Sequence, residues 1–299
     1  LASELRKIKA GIVGIIGRPN VGKSTLLNQI LKARISIVTP KPQTTRVPIL
    51  GILSEPDYQI VFMDTPGMLD KTKYELHKQM VKSIDTIIRD SDLILFMVPP
   101  RDPGDIENMI IERLKNNSRK SILLINKVDT VKKEEVLPLI DMYSKKYDFI
   151  EIIPISASKG DGIDRVISAI IKSLPEGEPL YSDDVLSDRT ERFFVAEIIR
   201  EKIFLFYGEE IPYSTAVEID EWREEEKLIY IKAIIYVEKS SQKAVIIGQK
   251  GAKIKNVGIS ARKDIENFLK KKVYLDLWVK QREGWRQDRA FLKEIGYIS

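Results

Sequence analysis

The sequence predicts an α/β domain built on a mostly parallel sheet, followed by a smaller α+β domain. Three observations predict it. Residues 10–173 alternate short Ile-, Leu- and Val-rich runs with periodic helical stretches. Leu174–Asp184 interrupts that pattern with two prolines, a glycine and a group of acids. A different order of elements follows the break. Strand–helix alternation argues for parallel strands with helices on both faces and right-handed crossovers. With 299 residues, 43% of them hydrophobic, the chain has material for about two cores.

Ala10–Gly17, Tyr58–Met63, Asp92–Val98, Ser121–Asn126 and Phe149–Ile155 read as buried parallel strands, because apolar runs without alternation suit strands covered on both faces. Val47–Leu53 reads as a further, weaker strand. Helical periodicity covers Gly22–Leu31, Tyr74–Arg89, Asp105–Asn116, Lys133–Lys146 and Gly162–Ser173. Beyond the break, Arg189–Phe206 reads as a helix, and Thr215–Trp222 and Leu228–Glu238 as strands. A short helix Ser240–Ile247, a long one Ala252–Lys271, a strand Val273–Val279 and a final helix Trp285–Glu294 complete the chain. The domains are therefore placed at residues 1–174 and 189–299, with a linker over 175–188.

Composition excludes several classes of function. There is no Cys, and His77 is the one histidine, so a disulfide framework, a thiolate nucleophile and Cys- or His-rich metal sites are ruled out. His77 reads as a surface residue. No apolar run reaches the roughly 18 residues of a membrane span, and Leu1–Lys9 lacks the apolar core of a signal peptide. A cytoplasmic monomer is expected. Net charge is +5 but uneven: residues 181–238 hold seven basic and 15 acidic residues, residues 239–293 hold 15 basic and five acidic. The basic block is the expected polyanion contact.

Gly17-Arg18-Pro19-Asn20-Val21-Gly22-Lys23-Ser24, with Thr25 next, is G-x4-G-K-S between a strand and a helix. There the backbone N–H groups and the helix N-terminus face phosphate oxygens. Lys23 is placed on the β- and γ-phosphates and the Ser24 hydroxyl on Mg²⁺. Asp64-Thr65-Pro66-Gly67-Met68 follows a second strand; Asp64 is a Mg²⁺ partner through water, and the Gly67 N–H a γ-phosphate donor. Asn126-Lys127-Val128-Asp129 follows another strand, and the Asp129 carboxylate suits the two N–H donors of guanine. Ser156-Ala157-Ser158 presents backbone N–H groups for guanine O6. Four such motifs, each just past a strand, lie where open sheets bind ligands.

On these motifs residues 8–175 resemble a Ras-like, translation-factor-class GTPase binding GTP and GDP. The resemblance places the first switch at Lys41-Pro42-Gln43-Thr44-Thr45-Arg46. It implies that one threonine joins Mg²⁺, Thr45 being favoured over Thr44. Met68 stands where many relatives carry a water-orienting Gln, so intrinsic turnover is expected to be slow. Asn20 resembles the asparagine of potassium-activated GTPases and is a candidate K⁺ ligand.

Inside the basic block, Val245-Ile246-Ile247-Gly248-Gln249-Lys250-Gly251-Ala252-Lys253-Ile254 sets an apolar lead-in, G-x-x-G and a basic helix in series. This resembles a type II KH domain, whose loop clamps about four single-stranded nucleotides. Gly248, Gln249, Lys250, Gly251 and Lys253 are the candidate RNA contacts. Lys270-Lys271-Lys272 reads as a helix-end charge cluster and Glu224-Glu225-Glu226 as a solvated turn. Trp222, Trp278, Trp285, Tyr230, Tyr236 and Phe268 read as core or edge packing.

A GTPase followed by this KH variant resembles the Era family of ribosome-assembly GTPases, over nearly the whole chain. The resemblance implies binding to the 3′ end of 16S-type ribosomal RNA in the 30S-type subunit, a nucleotide-dependent switch in subunit maturation, and a second, peripheral location at the inner membrane face. Three other readings compete. A P-loop kinase or ATPase without an RNA role conflicts with Asn126–Asp129. A tRNA-modifying GTPase brings an expected C-terminal Cys that is missing here. A passive RNA-binding module would not turn over GTP.

Overall fold

In the computed structural model the described residues are 7–41, 44–65, 85–208 and 210–298. Strand β1 (Ile8–Gly17) runs through the middle of the larger sheet. Val13, Ile15 and Ile16 are all but inaccessible, which is why the run carries no polar alternation. β3 (Tyr58–Asp64) and β4 (Leu93–Val98) flank it in parallel, and β5 (Ser121–Asn126) and β6 (Glu151–Ile155) continue beyond β4. The sheet order is β2-β3-β1-β4-β5-β6. Ile15 stands opposite Asp64, Gly17 opposite Met97, and Asn126 opposite Ile155. This register brings the C-terminal ends of β1, β3, β5 and β6, with the motifs that follow them, to one edge.

Two strands depart from the parallel pattern. β2 (Ile49–Glu55) pairs antiparallel with β3. Only Pro56 and Asp57 connect them, and a connection that short makes a hairpin, never a crossover. β7 (Glu176–Gly177) runs antiparallel to the start of β1. The stretch after it is tied down: buried Gln59 accepts from the Leu180 and Tyr181 N–H groups through its side-chain oxygen, and Ile52 N–H donates to the Leu186 carbonyl. Residues 176–188 thus lie along the first sheet.

Helices α1 (Lys23–Leu31), α2 (Asp105–Asn116), α3 (Lys133–Ser144) and α4 (Ile163–Ser173) belong to this unit, and residues 85–90 are helical too. In α4 the buried side chains Ile163, Val166, Ala169 and Ile170 make one stripe at helical spacing. Ile94, Phe96, Leu123, Ile110, Leu114 and Tyr143 pack into a common core.

By contact, the described residues form two units. One holds 7–36, 45–65 and 85–188; the other holds 37–41, 44, 189–208 and 210–298. The second unit contains α5 (Glu191–Phe206), β8 (Thr215–Glu224), β9 (Ile229–Val237), α6 (Ser240–Ile247), α7 (Ala252–Leu269), β10 (Val273–Gln281) and α8 (Arg289–Glu294). Its sheet order is β10-β9-β8, with β8 antiparallel and β10 parallel to β9. Val195, Ile199 and Ile203 of α5, Ile231 and Ile235 of β9, and Val257, Ala261 and Ile265 of α7 fill the core between helices and sheet.

One local expectation changes, and two features of this unit add to it. The predicted tail helix Trp285–Glu294 is split, because the Asp288 side chain accepts from Phe291 N–H and caps a new helix there. Trp285 is fully buried in the core, with its indole N–H on the Ser214 carbonyl at 3.0 Å, and Trp278 is 53% exposed on the edge strand β10. Glu197, Arg200, Glu201 and Lys202 are buried on α5. There Arg200 bonds Glu197 at 2.7 Å and Lys202 pairs with Asp264, the pairing that buried charges require.

Candidate functional site

The phosphate loop needs glycine at its turn. Gly22 has φ 108°, and a Cβ there would lie 2.3 Å from the Asn126 side-chain nitrogen. That closeness is used: Asn126 donates to the Val21 carbonyl at 2.7 Å and accepts from the Ala157 N–H at 2.9 Å. One buried amide therefore joins the phosphate loop to the Ser156–Ser158 loop. Lys127 Nζ donates to the Asn20 carbonyl at 2.8 Å, and Asn20 itself sits in the left-handed region at φ 59°. Arg18 and Pro19 are half-buried, Val21 is buried, and Thr25 lies in the first turn of α1.

Lys23 is buried, and its Nζ donates to the carbonyls of Gly17 (3.2 Å) and Arg18 (3.1 Å). Burial lowers its pKa to about 8, against the opposing pull of the Asp64 charge. Two carbonyls thus bind an ammonium that burial has stripped of water.

Asp64 is fully buried, and burial raises its pKa, opposed first by Lys23 and then by hydrogen bonds. Its Oδ2 accepts from Ser24 Oγ at 2.7 Å and from Ser36 Oγ at 2.9 Å. Ser24 Oγ also lies 3.0 Å from Thr45 Oγ1. Among the described residues Asp64 Oδ1 has no hydrogen-bond partner. A buried carboxylate oxygen beside the Ser24 and Thr45 hydroxyls offers oxygen donors of the kind a hard divalent cation takes. The Thr44 hydroxyl donates to the Lys41 carbonyl at 2.8 Å. Arg46 is buried, and buried Thr65 donates to the Ile15 carbonyl at 2.7 Å, tying β3 to β1. Gln43, Pro66, Gly67, Met68 and His77 lie outside the described residues.

Asp129 accepts from Ser156 Oγ at 2.8 Å, and that bond leads in holding its pKa below the ordinary carboxylate value. Lys159 stands 3.6 Å away, and Ser158 Oγ lies 3.4 Å from Ser156 Oγ. The carboxylate is ionised at neutral pH and already oriented.

Sequence reasoning missed Ser36 and Asn28. The Asn28 side chain accepts from the Ile35 and Ser36 N–H groups and donates to the Ser36 carbonyl, which shapes the turn that carries Ser36 to Asp64. An amide in mid-helix was the available signal, since Asn favours local backbone bonding over helix interiors.

In the second unit, Gly248 and Gly251 take φ 69° and 77°, and Lys250 between them takes φ 49°. Gln249, Lys250 and Lys253 are exposed. Beside this loop a groove of about 310 Å³ runs between α7 and β10, lined by Ile254, Lys255, Gly258, Ile259, Arg262 and Tyr274 among others. Ile259 and Tyr274 are 54% and 57% exposed, so the groove offers apolar surface between cations. Its walls were not legible in the sequence, because α7 and β10 meet only once the sheet forms.

The fold and sites define a class: a P-loop GTPase domain with a KH domain after it. Family models agree, with "50S ribosome-binding GTPase" matching residues 12–127 and "KH domain" matching residues 210–286. The chain is 49% identical to GTPase Era of Geobacter metallireducens, covering 97% of this chain and 98% of that one, and 48% identical to GTPase Era of Clostridium botulinum, covering 97% and 98%. A crystal structure of Era in complex with MgGDPNP and nucleotides 1506–1542 of 16S ribosomal RNA matches with TM-score 0.94, 40% identity, and 98% and 100% coverage. A crystal structure of a point variant of Aquifex aeolicus Era bound to GDP.AlF4⁻ matches with TM-score 0.93, 39% identity and the same coverage. The chain belongs to the GTPase Era family. It is a guanine-nucleotide-binding GTPase; among the described residues no helix is long and apolar enough to cross a membrane.

Proposed function

We propose that this GTPase binds the 3′ end of small-subunit ribosomal RNA in the cytoplasm and acts as a nucleotide-dependent switch in maturation of that subunit. The observation that carries this reading is the pairing, in one chain, of a guanine-nucleotide site with an open G-x-x-G groove, in a chain alike along its length to an Era structure holding both ligands. Crosslinking the protein to cellular RNA and sequencing the products tests it. Reads are expected to concentrate at the 3′ end of small-subunit ribosomal RNA. Reads spread over tRNA or messenger RNA would overturn the assignment.

In this reading the phosphate loop Gly17–Ser24 cradles the phosphates and Lys23 moves from the loop carbonyls to the β- and γ-oxygens. Ser24 and Thr45 hold Mg²⁺ directly and Asp64 holds it through water; convergence of the three side chains supports the choice of Thr45 over Thr44. Bound there, Mg²⁺ neutralises charge that develops between the β- and γ-phosphates. Asp129 reads guanine N1 and N2, and the Ser156–Ser158 loop reads O6.

Without a Gln after the Asp64–Gly67 motif, another group must offset charge at the bridging oxygen. Asn20 is the candidate, as a ligand for K⁺; its carbonyl is pinned by Lys127. With ribosomal RNA present, K⁺ is expected to accelerate hydrolysis at least about tenfold over equal Na⁺, roughly 1.4 kcal/mol of barrier. Asn20→Ala removes the difference. Equal rates in the two salts would defeat this part of the mechanism.

A further inference from the structure

We propose that Glu107 is a positioning residue of the phosphate loop, acting through Arg18. Glu107 lies in the first turn of α2 and is 2% exposed. Its Oε2 accepts from the Gly104 N–H at 3.0 Å. Its Oε1 has no hydrogen-bond partner among the described residues and faces Arg18 Nη1 at 3.5 Å. Tyr143 is also fully buried; burial, and after it the Glu107 charge, pushes its hydroxyl far above the ordinary value, so it adds no charge. Among the described residues Arg18 is the cation within ion-pair distance of this carboxylate taken out of water.

Arg18 occupies a position that G-x4-G-K-S leaves open, yet its two ends do separate work. The guanidinium is anchored on α2, and the backbone carbonyl accepts from Lys23 Nζ at 3.1 Å. Glu107 therefore fixes one end of the cradle that presents Lys23. The two partners are not equivalent. Arg18 is 29% exposed and can turn to water if Glu107 loses its charge. Glu107 cannot turn to water if Arg18 loses its own, so an unpaired anion is left beside a loop that must accept a polyanion.

The test compares Arg18→Met, Glu107→Gln and the double variant in the full chain, by GDP titration calorimetry and steady-state GTP hydrolysis. Glu107→Gln is expected to weaken GDP about threefold, because the anchor is lost. Arg18→Met is expected to weaken it at least tenfold, with the loss appearing in KM more than in kcat. The double variant should bind like Glu107→Gln, because removing the carboxylate removes the unpaired charge; a void or a loosened fold would show no such recovery. If Arg18→Met melts too low to assay, the comparison of Glu107→Gln with the double variant carries the test. A double variant as weak as Arg18→Met, or weaker than Glu107→Gln by tenfold, would mean that Arg18 meets the phosphates itself. That outcome overturns the proposal, as does parental affinity in Arg18→Met or in Glu107→Gln.

Discussion

Asp129→Asn is expected to lower GDP affinity by two to four orders of magnitude and to create affinity for XDP. In the proposed reading the carboxylate accepts two N–H bonds from guanine, each charge-assisted and worth about 1.5–3 kcal/mol, so losing the pair costs about 3–6 kcal/mol. That range converts to a factor on the order of 10²–10⁴. An asparagine amide keeps one acceptor but turns a donor toward the guanine amino group. Xanthine carries a 2-oxo acceptor at that place and restores the match. The fold should survive, because the amide oxygen can still accept from Ser156 Oγ as Asp129 does at 2.8 Å. Competition titration with GDP, XDP and ADP reads the result. GDP affinity equal to the parent's would show that Asp129 does not read guanine.

The second large effect is expected in the RNA loop. Replacing Gln249 and Lys250 with Asp removes one cation and adds two anions where phosphates would approach. RNA affinity is expected to fall by about ten- to a hundredfold at moderate salt. The slope of log affinity against log salt should become shallower by about 0.7 for the lost Lys250 contact. Folding should be preserved, since both side chains are exposed and Asp tolerates the left-handed backbone that Lys250 adopts at φ 49°. Filter binding across a salt series, with a thermal melt of the full chain as the folding control, measures both quantities. Unchanged RNA affinity would remove the G-x-x-G loop from the interface.

Much of this was legible before any coordinates. Strands β1, β4 and β5 announce themselves as unbroken apolar runs because both faces of a central parallel strand are covered. The phosphate loop is legible because its chemistry is backbone chemistry. A glycine at φ 108° and a helix N-terminus are consequences of neighbouring residues, so eight positions in series suffice to specify them. The G-x-x-G loop is legible for the same reason. Asp64 and Asn126 end their strands and Asp129 lies just past one, so the sequence could place all three at one edge, because the ends of parallel strands share an edge whatever their order.

Other features depend on residues far apart in sequence. The choice of Thr45 rests on Ser24 and Asp64 arriving within hydrogen-bond reach, across 21 and 40 residues from Ser24. The Glu107–Arg18 pair joins a loop after β1 to a helix after β4, and those strands are neighbours only in the sheet. The buried charges of α5 broke the amphipathic pattern that sequence periodicity relies on, because that helix is covered on more than its apolar side. Exposed Ile259 and Tyr274 carry no signal in the sequence, because the groove they line exists only where α7 meets β10. The sequence by itself determined the two domains, the backbone-built loops and the motifs at strand ends, since these follow from local periodicity and local φ and ψ. Only the tertiary structure decided which side chains converge, since convergence follows from sheet order and register, and these are set by packing between segments that the chain holds far apart.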